Sequence, residues 1–214
     1  MLGTFITEVI LLLYVLVRYS LSPSVRIITI LISLLALFQL SEYQICQGRD
    51  LELWTDIGFA SITLLPVFGY HLISMLTKRK KLLIAFYILS IFSVVAVVFS
   101  KTAIINAQCT GNYLVFVAGN SWWIPYTLAY FAILISGILS ITVALSKKRF
   151  QWRDKDSKTL LWILVGYLSF LIPTAIVYIF MPEARHAIPS VMCGFAILFA
   201  FILVFKVLPD NKEK

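Results

Sequence analysis

Glu8, Glu42 and Asp56 each fall within a long apolar run. An ionised carboxylate at the centre of a lipid-facing helix costs about 2.5–3.5 kcal/mol on insertion scales. Such side chains therefore turn toward a bundle interior, where they bind a cation or a head group or act as acids and bases. Gln39 precedes Glu42 by one helical turn and Cys46 follows it by one, so they form a stripe on one helix face that reads as inward. Asp56 has a structural alternative, because a carboxylate in the first turn of a helix complements the positive end of its dipole. Glu8 and Asp56 equally fit a wet position at a membrane surface. Arg185 and His186 precede the last apolar run and complete the ligand-binding candidates: Glu8, Gln39, Glu42, Asp56, Arg185 and His186. His71 stands alone ahead of a basic cluster and reads as a packing and hydrogen-bonding residue. No residue is assigned as catalytic, and no metal set is assigned, because the cysteines and the two histidines are scattered along the chain.

The elements that must position these groups are apolar helices. The chain has 214 residues, 61% of them hydrophobic and 13% charged, with a mean hydropathy of +0.95. A soluble domain carries about a quarter charged residues, so this surface is built for lipid. A spanning helix needs about 20 mostly apolar residues. Candidate spans run over Leu2–Tyr19, Val25–Cys46, Leu53–Leu76, Leu82–Ser100, Trp123–Ser146, Thr159–Phe180 and Ala187–Leu208. Their length and uniform apolarity exclude the short alternating strands of a membrane barrel. Met1–Thr7 lacks the basic start of a signal peptide, so the first run reads as a true span. The expected fold is an all-α membrane protein, a seven-transmembrane-helix bundle forming one domain over residues 1–208, with 209–214 as a short tail.

The net charge of +8 does not point to nucleic acid, because the basic residues lie in short blocks between apolar runs. Fifteen of the 18 lysines and arginines fall at the first, third and fifth loops and the C-terminal end, leaving Arg49, Lys101 and Arg185 for the other side. Such asymmetry marks the cytoplasmic face. It predicts an outer N-terminus, a cytoplasmic C-terminus and an odd number of spans. Glu8, Glu42 and Asp56 then all lie in the outer part of the bilayer. The partners expected are the lipid bilayer and a membrane or cytoplasmic signalling protein at the basic inner loops.

Asn106–Trp123 is half apolar. It fits an interfacial segment with an aromatic belt, or a lid over an outward-facing cavity built from Tyr113, Phe116, Trp122 and Trp123. Cys46 and Cys109 fall on the outer, oxidising side and are candidates for a disulfide; Cys193 reads as a buried thiol. Gly137, Ser140 and Ala144, then Gly166, Ser169 and Pro173, then Ser190 and Gly194, supply small residues at helical spacing that let helices approach closely. Pro66 and Pro173 interrupt helical hydrogen bonding in their runs. No cofactor is expected: Lys206 lies at the inner end of the last run, too far along for a retinal Schiff base. Zinc-protease, nucleophile-elbow and phosphate-loop motifs are also missing from the sequence.

The run Phe38–Cys46, then Leu64–His71 ahead of Lys78–Lys81, then Ser190–Ala196, resembles small prokaryotic seven-span integral membrane proteins of unknown function. The same order resembles the N-terminal seven-helix sensor region of some histidine kinases. The resemblance implies a receptor-like or sensory module in a bacterial or archaeal plasma membrane, with its signal passed to a separate partner. The ligand would be a small amphiphile, a lipid head group or a cation in an outward-facing polar pocket. Carboxylates held close there would answer to pH. The alternatives are an intramembrane lipid-modifying enzyme using the outer carboxylates, with His186 as partner, and a small seven-helix transporter.

Overall fold

In the computed structural model, described over residues 1–80, 82–100, 104–110, 113–118, 123–147, 155–182 and 187–210, nearly all of the chain is helical. The helices are α1 (Leu2–Arg18), α2 (Pro23–Cys46), α3 (Leu51–Thr77), α4 (Leu83–Ser100), α5 (Trp123–Lys147), α6 (Lys155–Phe180) and α7 (Ile188–Ile202). The last continues through a π-helical turn, Leu203–Val207, into the short turn Leu208–Asp210. Between α4 and α5 lie two antiparallel strands, β1 (Ile104–Cys109) and β2 (Leu114–Ala118), with Cys109 opposite Leu114. The segment read as an interfacial stretch or lid is therefore a β-hairpin.

Among the described residues five helices are long and apolar enough to cross a membrane: α2, α3, α5, α6 and α7 with its π-helical turn. The α4 segment Leu83–Phe99 is a shorter apolar helix. The 17 residues of α1 span about 25 Å at 1.5 Å per residue, a little under the hydrocarbon thickness of about 30 Å. The chain is an integral, multi-pass, all-α membrane protein. Its outward faces agree with that: Ile84, Ile88 and Phe99 on α4 and Ile124 and Leu128 on α5 are largely exposed, a surface that lipid covers.

Helix α2 and α3 form a tight hairpin. Ser22 precedes a proline in the first turn of α2, where the missing N–H is harmless. At the other end Gly48 adopts φ +72°, with Gly48 N–H donating to the Ile45 carbonyl (3.0 Å) and Arg49 N–H to the Gln44 carbonyl (3.1 Å). This glycine-closed turn reverses the chain. The next helix opens at Leu51, capped by the Asp50 carboxylate, which accepts from Leu53 N–H at 3.1 Å. Asp56 is thus not in the first turn of α3, as the sequence suggested; Asp50 takes the capping role. The close approach is visible at Gly58, where any side chain would meet the Ser41 hydroxyl of α2.

Helix α1 packs on α2, α6 packs on α7, and α7 returns to touch both α1 and α2, so the two ends of the chain meet. Only a narrow stripe of α1 is buried: Glu8, Leu11 and Val15. Helices α4 and α5 flank α3 on its other side. A continuous core runs through the middle, with Leu31, Ile32, Leu35, Phe38, Ile163, Tyr167, Leu203 and Val204 among its buried members.

Candidate functional site

Glu8 and Glu42 are completely buried, at 0% exposure each. The stripe on α2 turns inward along its length: Gln39 is 2% exposed, Glu42 is sealed, and Cys46 is half-buried at the helix end. On α1 the corresponding face carries Thr4 one turn before Glu8. The Thr4 hydroxyl donates to Gln39 Oε1 at 2.8 Å and shares its proton with the Met1 carbonyl at 2.6 Å. That bond fixes α1 against α2, with Glu8 about one turn to one side of it and Glu42 about one turn to the other, because the two helices run in opposite directions. Helical spacing explains both faces, since positions four apart stack on one side.

The two acids lie within electrostatic reach of one another, and the Met1 amino group acts on both. From α7, the Cys193 thiol, buried at 1% exposure, faces the pair. The Ser190 hydroxyl stands beside the Glu42 carboxyl, yet short of hydrogen-bond geometry. All four carboxyl oxygens of Glu8 and Glu42 lack a hydrogen-bond partner among the described residues. Buried polar atoms left this way cost about 1–3 kcal/mol each, more when charged.

The hairpin is tied to the helices that carry these groups. Cys46 and Cys109 are joined as a disulfide with their Cα atoms 5.7 Å apart, which ties β1 to the end of α2 one turn beyond Glu42. Directly opposite Cys109 in the hairpin, Leu114 is fully buried, and its N–H donates to Ser190 Oγ at 3.1 Å. The hairpin therefore bridges α2 and α7 above the acids. The connecting turn is closed by Thr110, whose N–H (3.1 Å) and hydroxyl (2.8 Å) both donate to the Tyr113 carbonyl.

Of the other candidates, Asp56 is half-buried on α3, and the groups acting most on Glu8 are Glu42 and the Met1 amino group rather than Asp56. Arg185, His186 and Trp122 lie outside the described residues. Tyr113 is half-buried in the hairpin turn, Phe116 is on β2 and Trp123 opens α5. Thr4 and Leu114 were not singled out from sequence. Thr4 could have been, being four residues before Glu8; Leu114 carries no local signal, because its burial depends on where the hairpin folds.

Below the acids, Cys193 also faces Tyr126 and Tyr130 of α5. The Tyr126 hydroxyl is 3.1 Å from Thr63 Oγ1, which in turn donates to the Phe59 carbonyl at 2.7 Å. A cavity of about 40 Å³ in mid-bundle is lined by Cys193, Tyr130, Tyr167, Gly69 and Pro66 among others. That is room for water but not for an organic molecule. A second cleft of about 90 Å³ between α4 and α5 is lined by Leu89, Phe92, Pro125 and Tyr126. Neither is lined by Glu8 or Glu42. His71 pairs with the Tyr87 hydroxyl at 2.9 Å, in keeping with a hydrogen-bonding role. Lys206 lies in the π-helical turn with its ammonium 5.2 Å from the Trp162 ring centre. Among the described residues no three of His, Cys, Asp and Glu stand close enough to hold a metal ion.

Comparison with known proteins finds no matching family model, no similar curated protein and no similar solved structure.

Proposed function

We propose that this protein is a receptor-like membrane module that binds a small cationic ligand, either an ion or the head group of an amphiphile, at Glu8 and Glu42 beneath the hairpin. One observation carries the reading: two sealed carboxyl groups whose oxygens have no protein partner among the described residues. Buried charges in apolar surroundings are normally paired, and among the described residues no side chain pairs with these two. The basic asymmetry of the loops supports seven spans with the N-terminus and the acids toward the outer face. The sensory role extends the resemblance to seven-helix sensor regions and is part of the proposal. Helix α7 is the route for the signal. It carries Ser190 and Cys193 at the acids and runs through the π-helical turn, a kind of local irregularity that often marks functional helices. At its far end a separate partner would read the change.

Native mass spectrometry of the protein released from mild detergent tests this. The wild type should keep a discrete adduct that Glu42→Gln loses, and the adduct mass separates ion from amphiphile. Bare protein in both, or the same adduct on both, contradicts it.

A further inference from the structure

We infer that the mid-bundle cavity walled by α3, α5, α6 and α7 is a hydration site, in which a small cluster of ordered water is held by the Tyr130 and Tyr167 hydroxyls. It is separate from the two buried acids, neither of which lines it.

Both tyrosines line the cavity, and both are deeply buried, Tyr167 at 2% exposure and Tyr130 at 9%. No described residue hydrogen-bonds to either hydroxyl. Tyr126, one turn before Tyr130 on α5, shows the contrast, since its hydroxyl meets Thr63 Oγ1 at 3.1 Å. A buried tyrosine O–H normally finds a partner.

The Tyr167 oxygen is given its place by glycines. A methyl group at Gly69 on α3 would collide with it, and one at Gly137 on α5 would stand 3.6 Å from it. Two helices thus leave out a side chain where this oxygen arrives from α6. Behind it the ring packs on Phe170 and Phe199, with centroids 5.7 and 5.4 Å away. Gly69 itself lines the cavity, so the oxygen is held at its wall.

Size and polarity choose the occupant. The cavity of about 40 Å³ exceeds the about 10–15 Å³ that one water needs. Purely apolar cavities stay dry, and a bound water needs at least two polar partners. The two hydroxyls meet that minimum, and the Cys193 thiol on the same wall adds a weak donor. Each hydroxyl can donate and accept, and so can water. No charged side chain lines the space, so an ion has no counter-charge there. Helix α5 packs closely on α3 but touches α6 far less. Water between Tyr130 and Tyr167 joins α5 to α6 by hydrogen bonds that the side chains do not make directly.

Radiolytic footprinting tests this. The full chain in lipid nanodiscs receives millisecond X-ray pulses, which make hydroxyl radicals wherever water sits, and mass spectrometry maps the oxygen added to each side chain. Tyr130 and Tyr167 should be labelled several-fold faster than Phe38, a ring at 1% exposure outside the cavity. Tyr167→Phe should lower the labelling of Tyr130, because the cluster loses one of its two anchors. If both tyrosines are labelled no faster than Phe38, the cavity is dry and the inference is overturned. Unchanged Tyr130 labelling in Tyr167→Phe also overturns it, since the two hydroxyls then share no water. Should that variant not fold, the wild type under xenon pressure decides. A dry cavity takes up the gas, so saturable shifts of the Leu35 and Leu134 methyl resonances would overturn the inference, and their absence would uphold it.

Discussion

A methyl group added at Gly166 would run into the Phe199 ring on α7, whereas one added at Gly194 meets nothing within 4 Å. Both glycines read from sequence as small residues for helix packing, and only the first has a neighbour that needs it. Gly166→Val should therefore lower stability by about 1–3 kcal/mol through overpacking. Gly194→Ala should stay within about 0.5 kcal/mol of wild type. Unfolding in a detergent titration checks both. The same contrast governs the acids. Glu42 was legible as inward because Gln39 and Cys46 flank it at helical spacing, and all of that stripe faces the bundle. Glu8 was not, since near the end of an apolar run a wet carboxylate and a buried one look alike. Its burial comes from the packing of α1 against α2 and against α7, which is more than 170 residues away in the chain. Asp56 was misjudged because hydropathy starts a helix at its first apolar residues. Asp50 sits just upstream in a polar turn, and there it makes the cap.

At the scale of elements, the helices follow from apolar runs of the right length; Pro23 opens α2 and Asp50 caps α3 ahead of the expected starts, and α6 begins four residues early at Lys155. The hairpin is the element that hydropathy missed. Residues 104–118 mix apolar and polar types without a helical period, which fits an interfacial coil as well as two short strands. What holds the hairpin is non-local: the Cys46–Cys109 disulfide on α2 and the Leu114–Ser190 bond on α7. A cross-link between residues 63 apart in sequence restricts the chain over a long loop. Removing it should free the hairpin before it loosens the bundle. Cys46→Ser/Cys109→Ser is expected to speed hydrogen exchange in the backbone amides of residues 107–118 while α2 and α3 amides stay protected. Unchanged exchange in the hairpin would mean that Leu114 and Ser190 suffice to hold it.

The whole molecule brings its first, second and last helices together, with α7 packed against both helices that carry the buried acids. That closure is invisible to hydropathy, which orders helices along the chain but does not rotate or pair them. The membrane class was legible from composition alone, as a chain this apolar has no aqueous alternative, and the length of the apolar runs set its all-α character.

The central claim is that Glu8 and Glu42 act as one site rather than as two separately tolerated acids. A double-mutant cycle over Glu8→Gln, Glu42→Gln and the pair, read as unfolding free energy in detergent titration, tests it most directly. Residues that share an environment couple by about 0.5–3 kcal/mol, so the double variant should depart from the sum of the singles by that much, because the first neutralisation already relieves the charge the second would remove. Additivity to within about 0.5 kcal/mol would contradict the account, leaving two independent acids and no shared compartment.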